Sequence, residues 1–359
     1  MTAPGYDSKP ISIDPAPAVP AAAASPRRRP LDLGFELSNL CNLHCTHCIR
    51  GSHQARIDRL DLPFVLGVID EARELFAPVE IVFTGGEPLA AELFPAIVNE
   101  LRTRSLSYRF VTNGWLIPRH LATLLGHPPS FVRISLSGAT EHTHDAQRGR
   151  DSFRRALLGA SVLLSRGIVT ELSMVVARTS RAELGTAARL ATDLGVGELH
   201  FILPQPTPET ACDGSDLSPD EWDDVATEVR VLAASSSTVV KLDYGSALRM
   251  PRPRCNTMAL RQLYVDALGR VPFCCQLSRY GSGAEPIIGD LHHESLATVV
   301  ARAEQGYNRF DSETTELHRT GRSDRLDDYP CLSCARRHGR TGFLADHPSH
   351  PWTALARSA

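Results

Sequence analysis

Three cysteines lie within eight residues of one another in the segment NLCNLHCTHCIRG, residues 39–51. Cys41, Cys45 and Cys48 follow the spacing C-x3-C-x2-C. A structural zinc site uses a closed set of four ligands, and a disulfide framework uses an even number of cysteines. Three thiols on one short loop would leave a metal centre with an open position, and an open position usually serves a reaction. His44 or His47 could instead complete a zinc knuckle.

A second set of cysteines lies in the last third of the chain. The segment QLYVDALGRVPF (262–273) predicts a hairpin turning at Leu268-Gly269, and IIGDLHHESLATVV (287–300) predicts a short strand followed by a helix. Spacing alone is compatible with either a zinc ribbon-like site or an iron–sulfur cluster. Four cysteines surround these elements, namely Cys255, Cys274, Cys331 and Cys334, with Cys275 as an extra neighbour.

Composition indicates an ordinary globular protein. The 359 residues are 42% hydrophobic and 22% charged, and the formal net charge is -3. This charge gives no overall attraction to nucleic acid or to an acidic membrane surface, and no apolar run is long enough to span a bilayer. Residues 1–30 are rich in Pro and Ala, which predicts a disordered leader. The order of their charged and apolar residues is not that of a signal peptide. We therefore expect a cytoplasmic protein with reduced cysteines, which favours metal chemistry over cross-links.

The elements around these cysteines alternate between strands and helices. Six apolar, β-branched segments, each followed by a helix-like stretch, predict a parallel α/β fold curled into a partial (β/α)6 barrel. Reactive residues in such folds gather at the carboxyl ends of the strands. The predicted strands are residues 31–37 and 79–84, and the segments SYRFVTNG (107–114), FVRISLSG (131–138), TELSMVVART (170–179) and GELHFILPQP (197–206).

The order of these motifs resembles the radical S-adenosylmethionine (SAM) superfamily over about residues 31–206. The resemblance depends on C-x3-C-x2-C after the first strand and on GGEP, residues 85–88, after the second. It implies that Cys41, Cys45 and Cys48 hold three irons of a [4Fe–4S] cluster and that the amino and carboxylate groups of SAM bind the fourth iron. One electron from the cluster would then cleave SAM to give a 5'-deoxyadenosyl radical that abstracts a hydrogen atom from the substrate.

The resemblance also implies SAM contacts in GGEP. Gly85 and Gly86 would let the backbone approach the methionine end, and Pro88 would fix the turn. Glu87 would receive the SAM amino group, although it could instead be a solvated carboxylate at a helix start.

Further SAM contacts are implied after the third and fourth strands. Asn113, Ser135 and Ser137 match positions of polar contacts to SAM, and ordinary turn chemistry remains an alternative for all three. His47, which precedes the last cysteine of the loop, matches a position whose backbone meets the adenine.

The second half resembles the shortened, twitch form of the SPASM auxiliary-cluster domain. The resemblance implies one auxiliary [4Fe–4S] cluster held by Cys255, Cys274, Cys331 and Cys334. Cys275 is our candidate catalytic hydrogen-atom donor to a substrate radical. In an extended segment it would point away from Cys274 and toward the active site.

These patterns divide the chain into five parts: the leader 1–30, a radical SAM barrel 31–210, a bridging helix and strand 211–250, a twitch domain 251–340 and a tail 341–359. The sequence favours hydrogen abstraction from an aminoglycoside or polyol intermediate, giving epimerisation or dehydrogenation. Epimerisation or cross-linking of a short ribosomal peptide is the alternative, and a non-catalytic Fe–S or zinc protein is the alternative of another class. A flavodoxin- or ferredoxin-type electron donor is the expected protein partner.

Overall fold

The structure, a computed structural model, describes residues 28–49, 57–243, 255–281 and 284–356. The predicted disordered leader falls outside these ranges except for residues 28–30. In that short described part, the guanidinium of Arg28 donates a hydrogen bond to the carbonyl oxygen of Arg73 at 2.7 Å.

Eight parallel strands form one open sheet that carries the functional end of the molecule. Their order is β7-β6-β5-β4-β3-β2-β1-β8, and each neighbouring pair is parallel. All six predicted strands are present, so the predicted α/β fold class is confirmed. The strands are β1 (Leu31–Glu36), β2 (Val79–Thr84), β3 (Tyr108–Thr112), β4 (Val132–Leu136), β5 (Thr170–Val175), β6 (Glu198–Ile202), β7 (Val239–Leu242) and β8 (Gln262–Val265).

The two outermost strands correct the predicted division of the chain. Strand β7 pairs with β6, and β8 pairs with β1, so both extend the barrel sheet. The boundaries at residues 210 and 251 therefore cut through one continuous sheet. An unpaired edge strand exposes a row of hydrogen-bonding groups, and β7 and β8 cover the edges that six strands alone would leave open.

The predicted hairpin at Leu268-Gly269 is only partly correct. The chain does turn there, with the N–H of Gly269 donating to Asp266 at 2.9 Å and with a φ of +75° at Gly269. The two arms belong to different sheets, however, because β8 joins the barrel while the next strand pairs elsewhere. That second, two-stranded antiparallel sheet consists of β9 (Arg270–Pro272) and β10 (Ile287–Asp290).

Helices follow most of the strands and cover the sheet. The helix predicted from Leu89 begins at Phe94, because residues Pro88–Ala90 form a separate 3-10 turn. In the described ranges, no helix is both long and apolar enough to cross a bilayer. The helices are α1 (Leu62–Leu75), α2 (Phe94–Thr103), α3 (Ile117–Gly126), α4 (Glu141–Arg148), α5 (Ser152–Leu164), α6 (Leu184–Leu194), α7 (Pro208–Asp213), α8 (Pro219–Ser235), α9 (Leu296–Arg319), α10 (Pro330–Arg337) and α11 (Thr353–Ala356).

Strand alternation determines which side chains face the interior of the partial barrel. In β4, Val132, Ile134 and Leu136 are fully buried beneath the helices, whereas Arg133 and Ser135 are only half-buried. Successive side chains of a strand point to opposite faces, so Arg133 and Ser135 share the inner face. Ser135 is the nearer of the two to the carboxyl end of its strand, where we expect the chemistry.

The last residues pack into the core, whereas the sequence predicted a simple tail. The indole of Trp352 is fully buried, and its N–H donates to the carbonyl oxygen of Leu217 at 2.9 Å. Its ring lies 4.6 Å from that of Trp222 and 4.8 Å from that of Tyr329. Residues 341–356 therefore tie α8 to the C-terminal half.

Candidate functional site

Backbone and side-chain hydrogen bonds hold the first cysteine loop across the carboxyl ends of the strands. The N–H of Glu87 donates to the carbonyl oxygen of Leu40 at 2.8 Å, and the N–H of Thr46 donates to that of Gln147 at 3.0 Å. The side-chain amide of Asn113 donates to the side-chain oxygen of Asn42 at 2.9 Å. The loop is thus tied to the second strand, to the third strand and to α4.

A cavity of about 310 Å³ lies beneath this loop. The structure brings most of the predicted site residues to its wall, whereas Pro88 and Ser137 do not line it. Arg148 and Arg279, which the sequence did not single out, also line the cavity. The predicted residues on the wall are Cys41, Cys45, Cys48, His47, Gly85, Gly86, Glu87, Asn113 and Ser135.

The two glycines of GGEP allow the cysteine loop and the first strand to approach closely. Gly85 has a φ of +111°, and a Cβ atom there would lie 2.4 Å from Cγ of Glu36. A Cβ atom on Gly86 would lie 2.2 Å from the carbonyl oxygen of Leu40. A larger residue at position 85 would collide with Glu36, and one at position 86 would push the cysteine loop away, so the two glycines let these segments lie close together.

The Glu87 carboxylate lies in the cavity wall rather than in solvent, with its residue 2% exposed. It accepts hydrogen bonds from the hydroxyl of Thr112 at 2.7 Å and from the backbone N–H groups of Asn113 at 2.9 Å and Leu89 at 3.1 Å. Burial raises its pKa, while these hydrogen bonds oppose the rise. The alternative of a solvated carboxylate is therefore wrong, and three donors already fix the group that we expected to receive the SAM amino group.

Ser137 lies behind the cavity wall and joins three side chains. Its hydroxyl accepts a hydrogen bond from Nε of Arg148 at 2.6 Å and lies 3.2 Å from Nε2 of His47. Its backbone N–H donates to Nδ1 of His144 at 3.4 Å. Burial and the nearby Arg148 lower the pKa of both His47 and His144 to about 3, so both rings are neutral at physiological pH. In this structure Ser137 positions Arg148 and His47.

Arg148 is the main functional candidate that sequence reasoning missed. It is the last residue of α4, 8% exposed, and it lines the cavity. Burial lowers its pKa, and the neighbouring Cys45, Cys41 and Cys48 thiols oppose this by favouring the cation. No local motif marks it, since an arginine in the last turn of a helix is common.

The first three thiols suit a metal centre. Burial is the largest cause that raises the pKa of Cys41 to about 12, and it also raises the pKa of Cys45. Metal ions bind thiolates, so a bound centre would displace the protons. Three soft ligands line one cavity together with residues of other segments, which fits a cluster with one iron left for another ligand.

The second cysteine set gathers in the C-terminal half. Burial raises the pKa of Cys274 well above its usual value, and the neighbouring Cys275, Cys334 and Cys331 raise it further. Burial also raises the pKa of Cys331, and Cys255 is among the neighbouring groups that raise it further. These thiols therefore lie within electrostatic reach of one another, as the ligands of one metal centre would.

Cys274 and Cys275 do not lie in the extended segment that the sequence predicted. The segment after Cys274 is a turn, closed by the N–H of Leu277 donating to the carbonyl oxygen of Cys274 at 3.1 Å, and it is not an extended strand. Alternation of side chains therefore does not apply. Cys275 is near the second cysteine set and is not among the residues that line the cavity beneath the first cysteine loop. Its role as hydrogen donor stays a prediction.

Arg279 links the second cysteine set to the first cavity. It follows Cys274 by five residues, lines the cavity and has a left-handed φ of 60°. Its guanidinium lies 3.8 Å from the carboxylate of Glu36 and 3.8 Å from that of Asp58. The C-terminal half therefore supplies part of the wall around the first three cysteines.

A further group of potential metal ligands lies at the opposite end of the strands. Glu171, Glu198 and His200 place their ligand atoms within 4.8 Å of one another. Arg133 donates to the carboxylate of Glu171 at 2.7 Å, and Lys241 contacts that of Glu198 at 2.7 Å. These cations already balance the carboxylates, so the group is a charge network of the barrel floor.

Comparisons with known proteins agree with this geometry. Residues 35–191 match the radical SAM superfamily. The chain is 33% identical over 168 residues to the mycofactocin maturase MftC of Mycobacterium tuberculosis, which covers 46% of this chain and 43% of the relative. It is 28% identical over 179 residues to the AdoMet-dependent heme synthase of Methanosarcina barkeri, which covers 49% of this chain and 51% of the relative. The chain thus spans about half the length of these relatives.

Solved structures share the fold over a longer stretch. SuiB of Streptococcus suis, solved bound to S-adenosylmethionine, has a TM-score of 0.62 at 12% identity and covers 76% of this chain and 65% of its own. The structure of anSMEcpe with bound AdoMet has a TM-score of 0.61 at 18% identity and covers 77% of this chain and 79% of its own. The predicted cofactors, SAM and a [4Fe–4S] cluster, are those of the superfamily. Residues 35–191, which include the cysteine loop and GGEP, thus match a radical SAM domain.

Proposed function

We propose that this protein is a radical SAM enzyme that abstracts a hydrogen atom from a residue of a short ribosomal peptide. One observation carries the proposal: three thiols open onto a cavity of about 310 Å³ whose wall includes GGEP and charged residues from both halves of the chain. A peptide substrate is supported by the 33% identity to a mycofactocin maturase and by the shared fold of SuiB, which has also been solved bound to its precursor peptide SuiA. The comparisons give no support to the aminoglycoside or polyol substrate that the sequence favoured.

Cys41, Cys45 and Cys48 would hold the catalytic cluster, as the superfamily pattern implies. When bound, SAM and the reduced cluster supply a carbon radical that can abstract a hydrogen atom from an unactivated carbon. The chain itself binds and orients these groups. Gly85 and Gly86 keep the backbone close to the cluster side of the cavity.

Arg148 is the residue we assign to the carboxylate of SAM. It is a buried cation on the cavity wall, and Ser137 fixes its Nε at 2.6 Å, so its remaining donors can face the cavity. A guanidinium and a carboxylate form strong, charge-assisted hydrogen bonds. Glu87 supplies the opposite charge on the same wall, which suits the amino group of the same ligand.

Asn113 and Ser135 stand beside the same cavity at the ends of the third and fourth strands. Their side chains offer both donors and acceptors, which suits the ribose and the methionyl group of SAM. Ser137 holds the neutral His47 ring, and this contact would fix the cysteine loop where its backbone can meet the adenine of SAM.

A second [4Fe–4S] cluster at Cys255, Cys274, Cys331 and Cys334 is the finer part of the proposal. Four thiols would saturate it, so its role would be electron transfer or structural support. A flavodoxin- or ferredoxin-type protein would supply the electrons. Arg279 supports a link between this region and the substrate cavity, since it belongs to the loop that follows Cys274 and lines that cavity.

Anaerobic reconstitution followed by reductive cleavage of SAM tests the proposal. The reduced protein should release 5'-deoxyadenosine, and a true peptide substrate should increase that release and appear with a changed mass or with solvent deuterium. The candidate peptides are short reading frames encoded beside its gene. A protein that releases no 5'-deoxyadenosine would contradict the enzyme assignment. Modification of a polyol, with all candidate peptides left unchanged, would contradict the peptide substrate.

A further inference from the structure

A second cavity, of about 360 Å³, lies in the C-terminal half. Helix α9 forms one wall, and strand β10 and the end of α10 form the others. This volume lies within the range of small-molecule sites. None of its lining residues also lines the first cavity, and the proposed function gives this second cavity no role.

A glycine in the middle of α9 provides the space. Gly306 lies well inside a 24-residue helix, where glycine costs about 1 kcal/mol relative to alanine. It has no left-handed φ, and a Cβ atom added there would meet no other atom within 4 Å. Neither the backbone nor the packing therefore requires a glycine at this position. Its effect is to leave the cavity open.

The charge of the wall is positive. Arg302, Arg309 and Arg337 line the cavity together with one acid, Glu313. Two of these arginines already have charge partners: Arg337 pairs with Glu313 at 2.7 Å, and Arg302 pairs with Glu294 and also donates to the carbonyl oxygen of Ile288 at 2.7 Å. Within the described part of the chain, the exposed Arg309 has no hydrogen bond or ion pair. It is therefore available to an anionic ligand.

A flat aromatic surface lies beside these arginines. The rings of Phe310 and His338 are parallel within 2°, with centroids 5.5 Å apart, and the Arg337 guanidinium carbon lies 4.0 Å from the Phe310 centroid. Nε2 of His338 is buried and has no hydrogen-bond partner among the described residues. A neutral imidazole offers one donor and one acceptor.

We infer that this cavity binds an anion, a carboxylate or a phosphate, that carries a flat or apolar group. Arg309 would take the charge, the apolar lining at Phe310, Ile287 and Ile288 would take the flat or apolar group, and His338 Nε2 would take a polar atom. The same chemistry could come from a free small molecule or from an acidic side chain beside an aromatic one in a peptide. The site adjoins the second cysteine set, because Phe273 precedes Cys274 and the N–H of His338 donates to the carbonyl oxygen of Cys334 at 3.1 Å.

Calorimetric titration of the full, anaerobically reconstituted chain tests the inference without any measurement of activity. The probes are phenyl phosphate for a free anion and N-acetyl-aspartyl-phenylalanine amide for a peptide-borne carboxylate. Saturable binding of either probe supports the site and identifies the source. Arg309→Gln should weaken that binding about tenfold, the effect of losing one charged hydrogen bond. Arg319→Gln, on the same helix but outside the cavity lining, should leave it unchanged.

Filling the cavity is the decisive variant. Gly306→Leu should abolish probe binding and raise the melting temperature by a few degrees, because leucine favours the helix and finds open space. Gly67→Leu is the matched control. Gly67 is also a mid-helix glycine with open space around its Cβ position, in α1, and its replacement should stabilise without affecting binding. No saturable binding of either probe to the unmodified chain, or equal binding by Gly306→Leu, would overturn the inference.

Discussion

The two cysteine regions differ in what surrounds their thiols. Cys41, Cys45 and Cys48 lie on a loop, line a cavity of about 310 Å³ and face a buried arginine. The second set sits among helices and a small sheet, and within the described residues none of its members lines one of the cavities discussed here. We call the first the open region, because it lines a cavity, and the second the closed region, because its cysteines line neither cavity, although Cys255 is exposed.

This contrast separates two kinds of metal chemistry. Three ligands with adjoining space leave a position for another molecule, whereas four ligands without such space complete their centre. Arg279 connects the regions, since it belongs to the loop after Cys274 and lines the open cavity. The closed region therefore shapes the open one by supplying part of its wall.

Removing the open site should have the largest effect. Replacing Cys41, Cys45 and Cys48 together with Ala should abolish SAM cleavage and lower iron from about eight to about four atoms per chain. Iron analysis and 5'-deoxyadenosine release measure both. Retention of cleavage in this variant would contradict the assignment of the catalytic cluster.

Removing the closed site should leave the first reaction step in place. The double change Cys331→Ala with Cys334→Ala should lower iron by about half, while reductive cleavage of SAM in the absence of substrate continues. The melting temperature should fall, because a bound centre stabilises the folded state. Zinc in this site, with iron only at the first, would rule out the second iron–sulfur cluster.

Arg148 tests the electrostatics of the open cavity. Arg148→Gln should weaken SAM binding by about 1.5–3 kcal/mol, the range for hydrogen bonds to charged groups. Arg150→Gln is the matched control, because that side chain is 94% exposed two residues later. SAM titration of the reconstituted proteins gives both affinities. Equal affinities in the two variants would reject the role of Arg148.

Replacing Glu87 distinguishes its structural role in the cavity wall from a direct contact with SAM. Glu87→Gln should lower the free energy of unfolding by about 1–3 kcal/mol, because an amide cannot accept all three hydrogen bonds that the carboxylate accepts. SAM affinity should fall as well if the carboxylate also meets the amino group. Chemical denaturation and SAM titration measure the two effects. Glu92→Gln, whose side chain is 91% exposed, should change neither.

The smallest effect on the clusters should come from Cys275. Cys275→Ala should keep its iron and its SAM cleavage, as should the control Cys212→Ala at an exposed cysteine. If Cys275 is the hydrogen donor, its loss stops inversion of a carbon, and the unmodified protein places one deuterium from deuterated water at that carbon. A product two hydrogens lighter, formed equally by Cys275→Ala, would make Cys275 a bystander.

Much of the barrel follows from sequence because its strands are short, apolar and bounded by turn residues. All six predicted strands are present, and GGEP lies where the second strand ends. The edge strands β7 and β8 were harder to place. Both are four residues long, and their pairing with β6 and β1 depends on contacts between distant parts of the chain. Periodicity within a segment carries no information about such partners.

The site residues also divide into those that local sequence predicts and those that depend on contacts between distant segments. Local motifs identify the cysteine loop and the glycines, whose spacing and backbone demands are visible in the sequence. Arg148 joins them only through α4, and Arg279 only through a loop more than 200 residues after the first cysteines. The misplaced Cys275 has a local cause, since a turn begins where the sequence suggested a continuing strand.

Electron paramagnetic resonance of the reduced protein, with and without SAM, tests the contrast between the two regions most directly. The unmodified chain should show two cluster signals, of which one changes when SAM is added. The variant lacking Cys41, Cys45 and Cys48 should keep a single signal that SAM leaves unchanged. A single signal in the unmodified chain, or a response to SAM in the variant, would contradict an open catalytic cluster beside a closed auxiliary one.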